Sequence, residues 1–261
     1  MTFVTLKCET DKRGVATLTL ARSEKLNAMS SVMIAELQHA ADTLGVDNNV
    51  RVVVLTAEGK SFCAGGDLGW MRDQMASSTD QRRVEARKLA NMLNTLNTLP
   101  KPVIAAVQGN AFGGGIGLVC VADTVVGVST ARFGLTETKL GLIPATISPY
   151  VIARMGEGRA RQIFMSGRLI GAVEAEKLGL ISKVVSADAL EKAIEDEIAP
   201  YLLCAPEAVA KAKRLARMLG PTIDQSVIDA TIELLIECWD GEEASAGIDA
   251  FFAKRPAPWT N

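Results

Sequence analysis

The chain has 261 residues, 48% of them apolar, which is enough to bury a full core in one α/β domain with an appendage. Its 28 Lys and Arg nearly balance 30 Asp and Glu, for a formal net charge of −2, which disfavours a general nucleic-acid-binding role. One histidine and five scattered cysteines, with no C-x-x-C pair, give no support to a metal site and predict reduced core thiols. No apolar run reaches membrane-spanning length, and the opening MTFVTLKCETDKRG lacks the charged-then-apolar order of a signal peptide. A soluble cytoplasmic protein with no membrane partner is expected.

Strand and helix patterns alternate from Phe3 to about Val185. Ser31 to Leu44 is an amphipathic helix whose stripe Met33, Leu37, Ala40, Ala41, Leu44 faces inward and leaves His39 near the polar side. Arg51 to Ala57 is a strand rich in β-branched residues, and the turn SFCAGGD, Ser61 to Asp67, follows it. Asp67 is placed to N-cap the short helix LGWMRDQM. Cys63 lies in that turn, but its one available histidine partner is His39, so a Cys–His nucleophile is not supported.

The same strand-then-turn pattern recurs. Pro102 to Val107 reads as a buried strand and Gly115 to Ala122 as a buried helix, with three consecutive glycines, Gly113 to Gly115, at the junction. Glycine there exposes backbone N–H groups at a helix N-terminus, where an oxyanion or phosphate is favoured. Tight helix–sheet packing is the competing explanation of such a turn. A dinucleotide site is not, because the G-x-G-x-x-G spacing fails at Leu118 and again at Cys120, and no P-loop is present. Two such turns are what one carbonyl oxygen needs if it is to become an enolate.

Thr124 to Val128 is a further strand, and Glu137 is the one acid in the apolar, glycine-rich segment beyond it. Partial burial there would raise its pKa and make it a proton carrier, while a surface pairing with Lys139 is the alternative. Ser148–Pro149 would start a helix that ends near Gly156. After Pro200 the pattern changes to three helices, Pro206 to Leu219, Ile223 to Trp239 and Glu242 to Ala253, so that residues 1–200 form the core and 201–261 an oligomerisation region. The basic positions Lys211, Lys213, Arg214 and Arg217 fit a solvated helix face.

Five segments together resemble the crotonase, or enoyl-CoA hydratase/isomerase, superfamily: RSEKLNAM from Arg22, SFCAGGDL from Ser61, KPVIAAVQGNAFGGGIGL from Lys101, ARFGLTETKLGLIP from Ala131 and AFFAKRPAPW from Ala250. The resemblance spans essentially the whole chain. It implies a ββα spiral core, a C-terminal helical trimerisation region, and a homotrimer or hexamer acting on acyl-CoA thioesters, the coenzyme A being part of the substrate and no separate cofactor being needed. It implies that Gly66 and Gly114 supply the two N–H groups for the thioester oxygen and that Glu137 is the acid/base. Lys25, Leu26 and Ala28 would line the adenine and pantetheine channel. Ala64, Gly66, Asp67, Leu68 and Gly69 would border the thioester, while Phe251 and Lys254 would close over CoA, often from a neighbouring subunit.

The best-known hydratases of this family carry a second glutamate, at the position that is Gly117 here. Gly117 is therefore expected to leave room for a water or for a branched or carboxylated acyl group. The flanking GLIPATISPYVIARMG and GLTETKL resemble the methylglutaconyl-CoA and isohexenylglutaconyl-CoA hydratase branch, and Arg72, Arg132 and Lys139 are candidate partners for a substrate carboxylate. Hydration of a 2-enoyl-CoA is the leading expectation. A Δ3,Δ2-enoyl-CoA isomerase, which needs one base, and a non-catalytic acyl-CoA-binding scaffold are the alternatives.

Overall fold

Runs of β-branched residues favour extended backbone, and VATLTL, VVVLTA, VIAAV and TVVGV all become strands of one sheet. The computed structural model describes residues 2–260. In chain order its elements are β1 (Leu6–Thr10), β2 (Val15–Leu20), α1 (Ser31–Val46), β3 (Val52–Ala57), β4 (Ser61–Cys63), α2 (Leu68–Ala76) and α3 (Thr79–Thr98). Next come β5 (Val103–Val107), β6 (Asn110–Phe112), α4 (Gly114–Val121), β7 (Thr124–Val128), β8 (Arg132–Gly134), α5 (Ser148–Met155) and α6 (Glu157–Phe164). The chain continues through β9 (Leu169–Gly171), α7 (Ala172–Lys177), β10 (Lys183–Val185), α8 (Leu190–Leu202), α9 (Pro206–Leu219), α10 (Gln225–Asp240) and α11 (Glu242–Phe252).

The large sheet has the order β1-β2-β3-β5-β7-β10 and is parallel except for β1 against β2. A small sheet, β4-β6-β8-β9, runs beside it. Each turn of the chain thus adds one long strand to the first sheet and one short strand to the second, β3 with β4, β5 with β6, β7 with β8. That is the expected ββα spiral. Because the parallel strands are covered on both faces, β5 is buried at every position. Helices α1, α3, α4 and α5 cover one face in a single large core, and Ala193, Ile194 and Ile198 of α8 cover the other.

Local chemistry accounts for the boundaries. Ser30 caps α1 by accepting from the Met33 N–H, and α3 opens with a capping box between Ser78 and Gln81. Pro149 stands in the first turn of α5, and Gly156, with φ of 77°, ends it. Helix α8 runs through Pro200 to Leu202, so the change of character seen in the sequence falls within its last turn, and residues 203–205 form the non-helical link to α9. Helix α10 lays Ile228, Ile232 and Ile236 on Ala86 and Ala90 of α3. Among the described residues no helix is long and apolar enough to cross a membrane.

Candidate active site

Strands β4 and β6 are parallel neighbours, so the turns after them emerge side by side. Gly65 and Gly113 take φ of 96° and 48°, and a Cβ built on Gly113 would lie 3.7 Å from the Gly65 Cα. This close approach of two backbones is what the glycines permit. The segment ahead of α1 pins the first turn: Ala64 donates to the Leu26 carbonyl at 3.0 Å, Met29 to Gly65 at 2.8 Å and Asp67 to Met29 at 2.9 Å. The N–H groups of Gly66 and Gly114 donate to no acceptor among the described residues. Gly114 also opens α4, whose positive pole adds to its N–H.

The strand β8 pairs with β6 and leads into a one-turn 3-10 helix, Glu137–Leu140, which brings Glu137 back to these turns. A Cβ on Gly113 would lie 3.1 Å from Glu137 Oε1. Glu137 as a residue is half-buried, but its Oε2 is withdrawn from solvent and has no partner among the described residues. Burial pushes its pKa up to about 7, opposed only by its own backbone N–H. The alternative of a surface ion pair does not hold, because Lys139 instead lays its Cγ, Cδ and Cε against Gly167.

These groups open on a cavity of about 460 Å³ whose walls are otherwise largely apolar, with Trp70, Met71, Leu89, Ile147, Leu235 and Trp239 among them. Of the expected site residues, Ala64, Gly66, Leu68, Gly114, Glu137 and Phe251 line it. Lys25, Leu26, Ala28, Asp67, Gly69 and Lys254 do not. Asp67 acts from behind: its side chain caps α2 at the Gly69 and Trp70 N–H groups and pairs with Arg22 at 3.1 Å. Burial opposes ionisation of Asp67, yet the two N–H donors and Arg22 outweigh it and hold the carboxyl below its ordinary value. Phe251 reaches the cavity of its own chain through α11, which rests on the Glu137 turn. A Cβ on Gly247 would lie 2.7 Å from the Leu140 carbonyl carbon and oxygen, and Gly141 abuts the Glu243 backbone just as closely.

Two expectations need correction. The space beside Gly117 is not free: a Cβ there would lie 2.6 Å from Ile147 Cγ2 and 3.5 Å from Leu93 Cδ1. An apolar side chain from the start of α5 has taken the room assigned to water or to a bulky acyl group. Of the three cations offered to a substrate carboxylate, Lys139 alone lines the cavity, while Arg72 lies 4.4 Å over the Phe252 ring and Arg132 is exposed. Cys63, as expected, is no nucleophile, since burial raises its pKa to about 12 and His39 stands on the exposed side of α1.

Asn27 escaped sequence reasoning. It is fully buried at φ of 53°, accepts from the Arg22 N–H at 2.9 Å and donates to the carbonyls of Glu58 and Ser61 at 2.8 and 2.9 Å. It therefore ties the Leu26–Met29 segment to the turn carrying Gly66. An asparagine amid a left-handed bend is a readable signal for this.

Residues 10–261 match the sequence model of the family described as Enoyl-CoA hydratase/isomerase. The chain belongs to that family. This enoyl-CoA hydratase/isomerase family member is 37% identical to an enoyl-CoA hydratase of Shewanella pealeana of known crystal structure, with a TM-score of 0.79 over 98% of this chain and 96% of the other. An enoyl-CoA hydratase from Mycobacterium smegmatis is 33% identical, with a TM-score of 0.79 over 99% and 100% of the two chains. An enoyl-CoA hydratase of Alternaria alternata is 34% identical over 78% of this chain and 67% of its own. In this member of the family, two free N–H groups and one carboxyl oxygen withdrawn from solvent thus face a single cavity.

Proposed function

We propose that this chain adds water across the 2,3 double bond of an acyl-CoA thioester with Glu137 as its one acid/base. The observation that carries this reading is the unpartnered Oε2 of Glu137 beside two unused N–H groups on one cavity. Gly66 and Gly114 hold the thioester oxygen, and their hydrogen bonds strengthen as it gains enolate charge. Glu137 takes a proton from the water attacking the β-carbon, and the same proton is delivered to the α-carbon, leaving the carboxylate regenerated. A pKa near 7 suits a group that must both accept and donate. A buried, unpaired carboxyl destabilises the fold, which weighs against a scaffold that merely binds the ester.

A 3-methyl-branched enoyl-CoA such as 3-methylglutaconyl-CoA is the substrate we assign within this reading, with Lys139 at the cavity wall as counter-ion for its far carboxylate. Mass analysis of 3-methylglutaconyl-CoA and crotonyl-CoA after incubation tests both parts. Gain of one water on either ester supports hydration, and a faster rate on the branched ester supports the substrate. Ile147 favours a second reading, Δ3,Δ2-isomerisation, because it puts a methyl group where another carboxylate would hold water. Conversion of a 3-enoyl-CoA to its 2-enoyl isomer with no gain of water, and no hydration of either ester, would select it. Assembly into a cytoplasmic homotrimer or hexamer through the C-terminal helices belongs to the same proposal. Leu215, Met218 and Leu219 of α9 are exposed and supply an apolar face for it, which light scattering would test.

A further inference from the structure

Helix α4 ends away from the thioester site, and Arg154 meets its negative pole at the Ala122 carbonyl. The first residue of α4 faces the thioester site, and its last turn, about 12 Å away at 1.5 Å per residue, abuts a separate cavity of about 850 Å³. That cavity lies between the end of α4, the start of β5, Arg154 of α5 and helix α9, and shares no lining residue with the thioester site.

Its charges do not balance. Arg154, Lys213 and Arg217 line it against one carboxylate, Asp123. Lys213 Nζ is spoken for: it donates to Asp123 at 2.7 Å and to the Lys101 carbonyl at 3.0 Å. Arg154 gives Nε to the Leu180 carbonyl and one Nη to that of Ala122, which leaves its second Nη without an acceptor among the described residues. Arg217 reaches Asp123 at 3.7 Å, beyond hydrogen-bond distance, so its whole guanidinium fork is unused there. The side chains are partly or largely out of water, with Lys213 10% and Arg217 30% exposed. Burial lowers the pKa of all three, and Asp123 offsets this only in part. Asn97, 2% exposed, also lines the cavity, and its Oδ1, an acceptor, has no partner among the described residues.

Desolvated cations that one carboxylate offsets only in part are costly unless a further anion joins them, and a fork of unused donors matches tetrahedral or planar oxyanions best. We propose that this cavity is a binding site for a phosphate group, held by the unused guanidinium donors of Arg217 and Arg154. Lys213 contributes charge and keeps its structural bond to Asp123. The volume leaves space for an organic remainder, so the group is either free phosphate or the phosphate of a monoester.

Thermal shift and calorimetric titration of the full chain with inorganic phosphate and with adenosine monophosphate, at matched ionic strength in chloride, test the site. Binding of phosphate alone identifies the free ion, and binding of the nucleotide alone identifies a monoester. Arg217→Ala should weaken either by about tenfold or more, and Arg214→Ala, on the same helix but outside the cavity, should not. Arg217 makes no hydrogen bond within the chain, so its loss should leave the ligand-free melting temperature nearly unchanged. No binding of either probe, or equal weakening by the two variants, would overturn the proposal.

Discussion

Replacing Glu137 with Gln removes a proton carrier and at the same time relieves a strain on the fold. Burial raises this carboxyl from 4.5 to about 7. At about 1.4 kcal/mol per pKa unit, ionised Glu137 costs the folded state up to about 3 kcal/mol, an upper bound because the residue is only half-buried. Unfolded, the group releases its proton near 4.5; folded, near 7, so between these values the native state binds more protons. The contribution to stability is whole below the lower value and is lost as pH rises through the higher one. Gln carries no such penalty. Urea unfolding at about pH 5 and about pH 8 should therefore show the stability of Glu137→Gln improving relative to the parent by roughly 2–3 kcal/mol across that interval. Activity should fall about 100-fold or more, and the parent kcat/KM should climb about tenfold per pH unit up to pH 7 and then level. A stability difference that does not change with pH, or an acid limb that survives in the variant, would refute the role given to this buried carboxyl.

The contact of Gly117 with Ile147 makes Gly117→Ala destabilising by about 1–3 kcal/mol, and adding Ile147→Ala should recover part of that loss. Additive losses in urea titrations would mean the two positions do not touch. Gly247→Ala, by pushing α11 off the Leu140 carbonyl, should lower kcat several-fold and move the acid limb of the pH profile; an unchanged limb would show that the helix does not position Glu137. Asn27→Ala strands the Glu58 carbonyl and the Arg22 N–H and leaves the Ser61 carbonyl to Gln108 Nε2, so a loss of about 2–4 kcal/mol is expected in chemical denaturation, and one under 1 kcal/mol would count against its tying role.

Strand runs and glycine turns are local signals, which is why the strand–helix alternation, the capping by Asp67 and the two strand-end glycine turns were legible along the chain, whereas the ββα order came only with the family resemblance. Glu137 stood out for a local reason too, as one acid in an apolar stretch. Its protection from Lys139 was not legible, because that depends on Gly167 offering a groove to the lysine stem. Gly117 shows the limit most plainly. Sequence registers a missing side chain but not what fills the gap, and the filler, Ile147, comes from another helix thirty positions on. The capping box of α3 was present in Ser78 and Gln81, whereas the docking of α11 on the Glu137 turn has no local mark, since it depends on two glycines far apart in the chain meeting backbone to backbone.

That docking also orders events in time. The turn that carries Glu137 leaves the ribosome about a hundred residues ahead of α11, the helix that backs it. A nascent chain can therefore assemble its sheets and both glycine turns while its carboxyl still faces water and behaves as an ordinary glutamate. The perturbed carboxyl is completed only when α11 seals the turn, so a chain ending before Glu242 should keep its sheets yet lack the activity proposed for Glu137.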